Sequence, residues 1–354
     1  DIYKAIKSKR LAGLGNINSV FTRRGLHDVL VAYYQGGLLA SFFIQRWGMS
    51  KMRRALVGYG KGRGTAKLLP KIYGKSLGEL DALFRQDQLK RLAHYGRGYV
   101  VDLRRFEKLK TYEQAAKAKP QDTQTQAELA AALLFHRKPK EAQKLAEKVL
   151  QKTPTQKLAI YVLMRLAKGN KERDYAQSLV VSGGDGYTAR LTLGRLALAK
   201  GDLKEAKTQL DAAKRFDPES KRPYTMLASV YERTKRPKEA IRELKRVVEL
   251  NQQSFGAAFK LVGMLEKAKD WVGIRHYGRM AYYIYPASEK LHTIMARAYE
   301  QLAPKRDFRR AAWHLELALL CKPKDKKPIH RDLARVYRKL GKRKKAKEHE
   351  QAAR

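Results

Sequence analysis

The sequence predicts an all-α fold, with helical hairpins stacked into a superhelical solenoid over residues 107–354 and a small helical unit over residues 1–106. The first observation is that Pro120 and Pro154 lie 34 residues apart, and that Pro218 and Pro286 are separated by two such periods. Small or compact residues follow the same period at Gly194, Ala228, Val262 and Ala296. Large apolar residues precede them by one position, at Leu193, Leu227, Leu261 and Met295. A fixed period of about 20 to 50 residues is typical of repeat architectures.

A hairpin of two helices gives each of these positions a physical reason. Two helices approach closely only where the side chains between them are small, so the small residue of the first helix should face an alanine of the second. Alanines recur at the matching places, at Ala142, Ala176, Ala206 and Ala240. A proline at the end of the repeat stops the second helix, and turn residues at 200–202 and 235–237 fall where the two helices must be joined.

Over about residues 107–354 the chain resembles the tetratricopeptide repeat family. The motifs that carry this resemblance are Leu193-Gly194 with Ala206 and Pro218, and Leu227-Ala228 with Tyr231 and Ala240. The spacing predicts about six or seven hairpins, of which the one between Pro154 and Gly186 is shorter by about four residues. An insertion of about three or four residues is expected around Ala303, Pro304 and Lys305. The last hairpin contains Leu333, Ala334, Tyr337 and Ala346, and its very basic end at 341–347 predicts a polar cap.

Residues 1–106 do not follow the 34-residue period and predict a separate set of helices. Apolar residues at helical spacing predict a buried helix over 29–47, and a second helix is expected over 50–59. The glycine-rich turn at 60–64 should end the second helix, and Thr65 should begin a short third one. Ser76 with Glu79 forms a capping-box pattern for a fourth helix that runs to about Leu92. Residues 93–106 should link this unit to the array.

Part of this unit resembles a second family, over about residues 15–92. The segment Ala32-Tyr33-Tyr34-Gln35-Gly36-Gly37-Leu38, followed by segments 46–51 and 73–80, is similar to the C-terminal part of the gluzincin, or peptidase MA-like, zinc peptidases. The resemblance implies that Tyr33 would hydrogen-bond a developing oxyanion. However, the chain has no His-Glu-x-x-His motif, which the zinc site requires. Either the zinc-binding half lies upstream, or the unit is a non-catalytic relic, in which case we expect Tyr33 to be a buried aromatic residue.

The charge balance indicates the class of partner. The chain has 77 Lys and Arg against 34 Asp and Glu, a formal net charge of +43. Such a surface attracts polyanions: an acidic protein or peptide, an anionic component of a cell envelope, or, as a less favoured alternative, nucleic acid bound without sequence specificity. A proteome-wide preference for basic residues on solvated faces explains the surplus equally well. No cofactor, metal site or transmembrane segment is predicted, and the single cysteine, Cys321, excludes a disulfide within the chain.

The tetratricopeptide resemblance also implies where a partner would bind. In that family the first helix of each hairpin lines a concave groove, and mapping those positions onto this chain gives Arg195, Arg222, Ser229, Lys290, Arg297, Arg331, Arg335 and Arg338. A groove rich in arginine is suited to recognition of carboxylate or phosphate groups. The leading interpretation is therefore a non-catalytic scaffold for protein-protein interaction that binds an acidic partner. If the peptidase resemblance holds, we expect a cell-envelope or periplasmic location, and otherwise a cytoplasmic one.

Overall fold

The structure, a computed structural model, describes residues 6, 11–23, 26–302 and 307–354. These residues form α-helices joined by short turns, and no strand is found among them, which confirms the predicted all-α fold. The chain divides into two compact units, Asp1–Gly98 and Tyr99–Arg354. The domain boundary predicted between residues 106 and 107 stays a prediction. No described helix is both long and apolar enough to cross a lipid bilayer.

The N-terminal unit contains four described α-helices. They are α1 (Ile17–Arg23), α2 (Leu26–Gly60), α3 (Thr65–Tyr73) and α4 (Leu77–Arg91), followed by a 3₁₀ turn at Ala93–Gly96. Helix α2 is broken at Gly48, whose φ of 84° lies outside the helical region. The break separates the two helices that the sequence predicts over 29–47 and 50–59. The capping box of α4 is also confirmed, because Ser76 Oγ accepts from Glu79 N–H at 3.2 Å and the Glu79 carboxylate accepts from Ser76 N–H at 2.8 Å.

One prediction for α2 is wrong. The sequence predicts a buried helix over 29–47, but only one face of this helix is buried, because the buried residues follow the helical period at Ala32, Gln35, Leu39 and Phe42. Gln35 fits in this core because its Nε2 donates to the carbonyl oxygen of Ala12 at 2.6 Å. Tyr33 lies on the other face and is 68% exposed, so the expectation of a buried aromatic residue there is wrong as well.

The C-terminal unit is an array of helices of similar length. Their bounds are α5 (Leu109–Ala118), α6 (Thr123–Phe135), α7 (Pro139–Lys152), α8 (Lys157–Leu166), α9 (Gly169–Leu179), α10 (Tyr187–Lys200), α11 (Leu203–Phe216), α12 (Lys221–Arg233), α13 (Pro237–Leu250), α14 (Phe255–Lys267), α15 (Trp271–Ile284), α16 (Glu289–Gln301), α17 (Phe308–Leu320), α18 (Lys327–Lys339) and α19 (Arg343–Ala352). From α6 onward the described helices pair consecutively into seven hairpins. The predicted insertion around Ala303, Pro304 and Lys305 lies outside the described residues.

The small residues lie where the helices cross, as predicted. A Cβ added to Gly194 would be 2.7 Å from Cγ of Leu210 on the facing helix, which is closer than side chains pack. Ala206, Ala228 and Ala240 are fully buried. The shortened hairpin is also found, since α8 has 10 residues where α10 has 14.

The turns inside the hairpins repeat in backbone conformation as well as in position. Gly201, Lys235 and Lys269 follow the first helices of three successive hairpins, and their φ angles are +84°, +55° and +55°. Only glycine adopts this left-handed conformation without cost, so two lysines hold it under strain. The turn is therefore imposed by the packing of the two helices and not by the residue that occupies it.

Residues just before the first helix of the array contact the array itself. The N–H of Tyr99 donates to the carbonyl oxygen of Asp185 at 2.7 Å, and burial raises the pKa of Tyr99 to about 12. Phe106, in a 3₁₀ turn at Leu103–Phe106, is fully buried and packs against Tyr112 with the two rings tilted by 56° and their centroids 5.1 Å apart. These contacts fill the end of the core that would otherwise be exposed.

Candidate ligand-binding cleft of the repeat array

A cleft of about 630 Å³ lies between α10 and α12, the first helices of two successive hairpins. Two preceding helices, α8 and α9, contribute one residue each. The lining residues are Arg165, Glu172, Tyr187, Thr188, Leu191, Thr192, Arg195, Lys221, Arg222, Thr225 and Met226. Two of the residues predicted from the sequence, Arg195 and Arg222, are thus brought to one place.

The floor of the cleft is largely apolar. Leu191 and Met226 are half-buried, and each also packs against the core between α10 and α12. The hydroxyl group of Tyr187 is 2.7 Å from Oγ of Ser220, and burial raises the pKa of this tyrosine. The floor therefore offers aliphatic surface with one fixed phenol, which suits an apolar side chain of a ligand.

The rim of the cleft carries four exposed cations and one carboxylate. Glu172 is mostly buried and forms an ion pair with Arg195, while the guanidinium of Arg165 donates to the hydroxyl of Tyr161 at 3.1 Å. Neither Lys221 nor Arg222 lies within ion-pair distance of a carboxylate in the described part of the chain. These two cations at the start of α12 thus remain available for an anionic ligand.

The other predicted groove residues are dispersed along the array. Ser229 lies on α12, and its hydroxyl donates to the carbonyl oxygen of Thr225 in its own helix at 3.4 Å. Lys290 and Arg331 are exposed on α16 and α18. Arg338 donates to the carboxylate of Glu350 on α19 at 2.8 Å, so it joins the two helices of the last hairpin.

A ladder of ion pairs, which the sequence analysis missed, engages Arg297 and Arg335. Each pair joins the first helix of one hairpin to the first helix of the next: Glu232 to Lys260 at 2.8 Å, Glu266 to Arg297 at 2.5 Å, and Glu300 to Arg335 at 2.8 Å. The three carboxylates lie 34 residues apart. This spacing was the signal in the sequence that could have revealed the ladder.

The last pair of the ladder is the most enclosed. The side chain of Glu300 is only 6% exposed, and burial raises its pKa although Arg335 opposes this shift. Arg335 donates to both carboxylate oxygens of Glu300 and also to Asp332 at 2.6 Å. Because its donors are used inside the array, Arg335 has less capacity for a ligand than Arg222 has.

The N-terminal unit does not display a metal site in the described residues. No group of three or more His, Cys, Asp or Glu side chains is placed to hold a metal ion anywhere in the ranges that the structure describes. Tyr33, the residue that the peptidase resemblance singled out, is an exposed residue of α2 with Gly36 and Gly37 one turn further along the same helix.

Comparison with known proteins finds a family match for part of the cleft-bearing segment. Residues 191–255 match the tetratricopeptide repeat family. This range contains most of the cleft, from Leu191 on α10 to Met226 on α12. No curated protein has a sequence that matches this chain.

Several solved structures are similar to parts of the chain. A MamA protein is 18% identical, with a TM-score of 0.39, and the alignment covers 47% of this chain and 89% of MamA. PilF of Pseudomonas aeruginosa is 17% identical, with a TM-score of 0.39, covering 61% of this chain and 95% of PilF. YrrB, described as a TPR protein with an unusual peptide-binding site, is 19% identical, with a TM-score of 0.30, covering 60% of this chain and 93% of YrrB.

Proposed function

We propose that this protein is an interaction scaffold that binds an acidic peptide segment of a partner protein in the cleft between α10 and α12. The observation that carries the proposal is the arrangement of the cleft, in which Lys221 and Arg222 flank an apolar floor formed by Leu191 and Met226. The tetratricopeptide match over 191–255 supports a binding role for this segment. The proposed role of this cleft is binding, without catalysis.

The chemistry of the cleft defines the ligand. A guanidinium binds a carboxylate through two parallel hydrogen bonds, so Arg222 favours Asp or Glu, and Lys221 adds a second positive charge beside it. The half-buried side chains of Leu191 and Met226 favour an apolar ligand residue next to the acidic ones. A peptide that combines Asp or Glu with Leu, Ile or Phe therefore fits better than a purely acidic one.

The test uses defined peptides and the full chain. A displayed peptide library is selected on the protein, and the selected peptides are measured by fluorescence anisotropy. Substituting Lys221→Glu together with Arg222→Glu should weaken binding at least about ten-fold, because each charge-assisted hydrogen bond contributes about 1.5–3 kcal/mol. A matched control, Lys140→Glu with Lys144→Glu on the exposed face of α7, changes the net charge equally and should leave binding unchanged. Equal affinity of the Lys221/Arg222 variant would contradict the proposal.

A second variant separates cleft binding from general attraction to polyanions. Met226→Ser removes apolar surface from the floor without changing any charge, and it should weaken the selected peptides several-fold. Nonspecific nucleic-acid binding, the less favoured alternative, would be unaffected by this substitution and would fall by orders of magnitude between low and physiological salt. A steep salt dependence with no effect of Met226→Ser would therefore favour that alternative.

The second candidate function is that the N-terminal unit forms the C-terminal portion of a gluzincin-type zinc peptidase whose zinc-binding half lies upstream. The observation that favours it is the position of Tyr33, because a 68% exposed phenol is accessible to a substrate. The complete coding sequence tests this candidate directly. A His-Glu-x-x-His motif upstream would support it, and a complete reading frame without that motif would rule it out.

A further inference from the structure

The N-terminal unit has a cleft of its own, of about 500 Å³, between the second half of α2 and helix α3. The two helices touch closely beside it, since a Cβ added to Gly58 would be 2.4 Å from Cδ1 of Leu68. Among the residues that the structure describes, no acidic residue lines the cleft, whereas five cations do: Arg53, Arg54, Lys61, Arg63 and Lys71. All five are exposed.

The charge of this region is of one sign over a long stretch. From residue 29 to residue 78 the chain contains no Asp or Glu, while nine Lys and Arg residues fall between residues 46 and 75. None of the five cations of the cleft forms an ion pair with a described residue. This differs from the repeat array, where Arg297 and Arg335 are neutralised by Glu266 and Glu300. No residue in the described part of the chain therefore neutralises the positive charge of this cleft.

Aliphatic side chains lie among these cations. Val57 and Met49 line the cleft and are 58% and 48% exposed. Leu56, which precedes Val57 on α2, is 60% exposed and lies beside the cleft without lining it. The buried side chains of Leu68 and Ile72 form the floor. None of the described residues that line the cleft is aromatic, whereas single-stranded nucleic acids bind through bases stacked on aromatic rings. Cations next to exposed aliphatic residues are instead the pattern of surfaces that bind at the boundary between lipid headgroups and acyl chains.

We propose that this cleft binds the phosphate headgroup of an anionic phospholipid and holds the N-terminal unit on an anionic membrane surface. Arg53 and Arg54 would contact the phosphate together with Lys61, since guanidinium groups pair with phosphate oxygens through two hydrogen bonds. Met49, Leu56 and Val57 would enter the boundary between headgroups and acyl chains. Each cation near an anionic surface strengthens binding about five-fold, so five cations suffice for reversible attachment without a membrane-spanning helix.

The test is co-sedimentation of the full chain with lipid vesicles. Vesicles of phosphatidylcholine with phosphatidylglycerol should bind the protein, and vesicles of phosphatidylcholine alone should bind it at least about 100-fold more weakly. The variant Arg53→Glu, Arg54→Glu, Lys61→Glu should lose about 100-fold or more in affinity, because three cations are removed. The control Lys140→Glu, Lys144→Glu, Lys148→Glu on α7 alters the net charge equally and should bind as the unmodified protein does. Equal losses in the two triple variants would overturn the proposal.

A second variant tests the aliphatic contribution. Leu56→Ser with Val57→Ser changes no charge and affects two exposed side chains, so the fold should be retained. It should reduce binding to the anionic vesicles at least about ten-fold. Unchanged binding would show that the surface binds vesicles through charge alone. It would contradict the proposal that Leu56 and Val57 enter the boundary between headgroups and acyl chains. A fluorescent single-stranded oligonucleotide tests the alternative ligand at physiological salt. If the protein binds it more tightly than it binds vesicles, and the Arg53/Arg54/Lys61 variant loses this binding, the cleft binds nucleic acid instead.

Discussion

Two histidines buried between α16 and α17 should make the stability of this part of the array depend on pH. His292 Nε2 donates to the carbonyl oxygen of Pro286 at 2.8 Å, and its Nδ1 is 3.0 Å from Nδ1 of His314. Because a carbonyl oxygen only accepts, Nε2 of His292 carries a proton, and in the neutral form of this ring its Nδ1 accepts from Nδ1–H of His314. Two imidazolium rings would have no acceptor between them, so at least one ring must be neutral, and burial lowers the pKa of both rings and thereby favours the neutral form of each.

The magnitude follows from the pKa of His314. Burial lowers this pKa to about 3, with smaller contributions from His292 and Arg310, while the ring has a pKa of about 6.5 in an unfolded chain. Burial lowers the pKa of His292 in the same direction. The folded state therefore binds fewer protons than the unfolded state between about pH 3 and pH 6.5. The stabilising contribution is complete above about pH 6.5 and is lost progressively as the pH falls below it. At pH 5.0 the loss from His314 is about 2 kcal/mol.

The assay compares the unmodified protein with His314→Asn at pH 7.5 and pH 5.0. An asparagine amide can replace the Nδ1–H donor to His292 but does not titrate, so the variant should lose about 2 kcal/mol less between the two pH values. Because a repeat array opens locally, amide hydrogen exchange of α16 and α17 is a better measure than a global unfolding curve. Equal changes in exchange protection for both proteins would refute the neutral histidine pair.

Three further predictions concern the repeat geometry. Lys235→Gly should raise the free energy of unfolding of its hairpin by about 0.5–1 kcal/mol, because glycine adopts a positive φ without strain, and urea unfolding measures this. Gly194→Ala should lower the free energy of unfolding by about 1–3 kcal/mol, because the new methyl group would collide with Leu210. A reduced melting temperature would measure this loss. Arg335→Met should lower the free energy of unfolding by about 1–2 kcal/mol, since Glu300 would stay buried without its ion-pair partner, and exchange protection of α16 and α18 should fall.

The glycine and arginine predictions each have a control in the same array. Gly263 is a helical glycine of α14 with nothing within 4 Å of its added Cβ, so Gly263→Ala should stabilise the array by about 0.5–1 kcal/mol. Arg297→Met leaves Glu266 without its ion-pair partner. Because the side chain of Glu266 is 24% exposed, this substitution should lower the free energy of unfolding by less than Arg335→Met does. The geometric reasoning would fail if both alanine substitutions had the same sign, or if the two arginine substitutions had equal effects. A destabilising Lys235→Gly would contradict the strained turn.

The sequence predicted the helices well because their positions depend on local pattern. The 34-residue period predicted the crossing at Gly194, and the capping box of Ser76 and Glu79 fixed the start of α4. These features depend on backbone sterics and on neighbours a few residues away, which any repeat of the same length must satisfy. The break of α2 at Gly48 was similarly visible as a change between two helical segments.

The side-chain partners of the predicted groove residues were not predictable in the same way. Family positions indicated that Arg222, Arg297 and Arg335 face one groove, but they contain no information about a carboxylate on the neighbouring hairpin. Arg222 is available for a ligand, whereas Arg335 is bound by Glu300. The difference is set by residues about 35 positions away. Tyr33 shows the same limit, because an apolar segment at helical spacing does not reveal how much of its surface the rest of the unit covers.

The basic surplus has different physical consequences in the two units. In the array, carboxylates repeated every 34 residues pair with cations of the following hairpin. These ion pairs stabilise the stacking of the repeats and neutralise part of the positive charge. No carboxylate of a described residue lines the N-terminal cleft, and repulsion among its five cations lowers the stability of the free protein. An anionic ligand relieves that repulsion. Added salt should therefore weaken the ladder in the array and stabilise the N-terminal unit, and residue-resolved hydrogen exchange at two ionic strengths would separate these opposite effects. If salt changed the stability of both units in the same direction, this would contradict the conclusion that the cations of the N-terminal cleft are not neutralised.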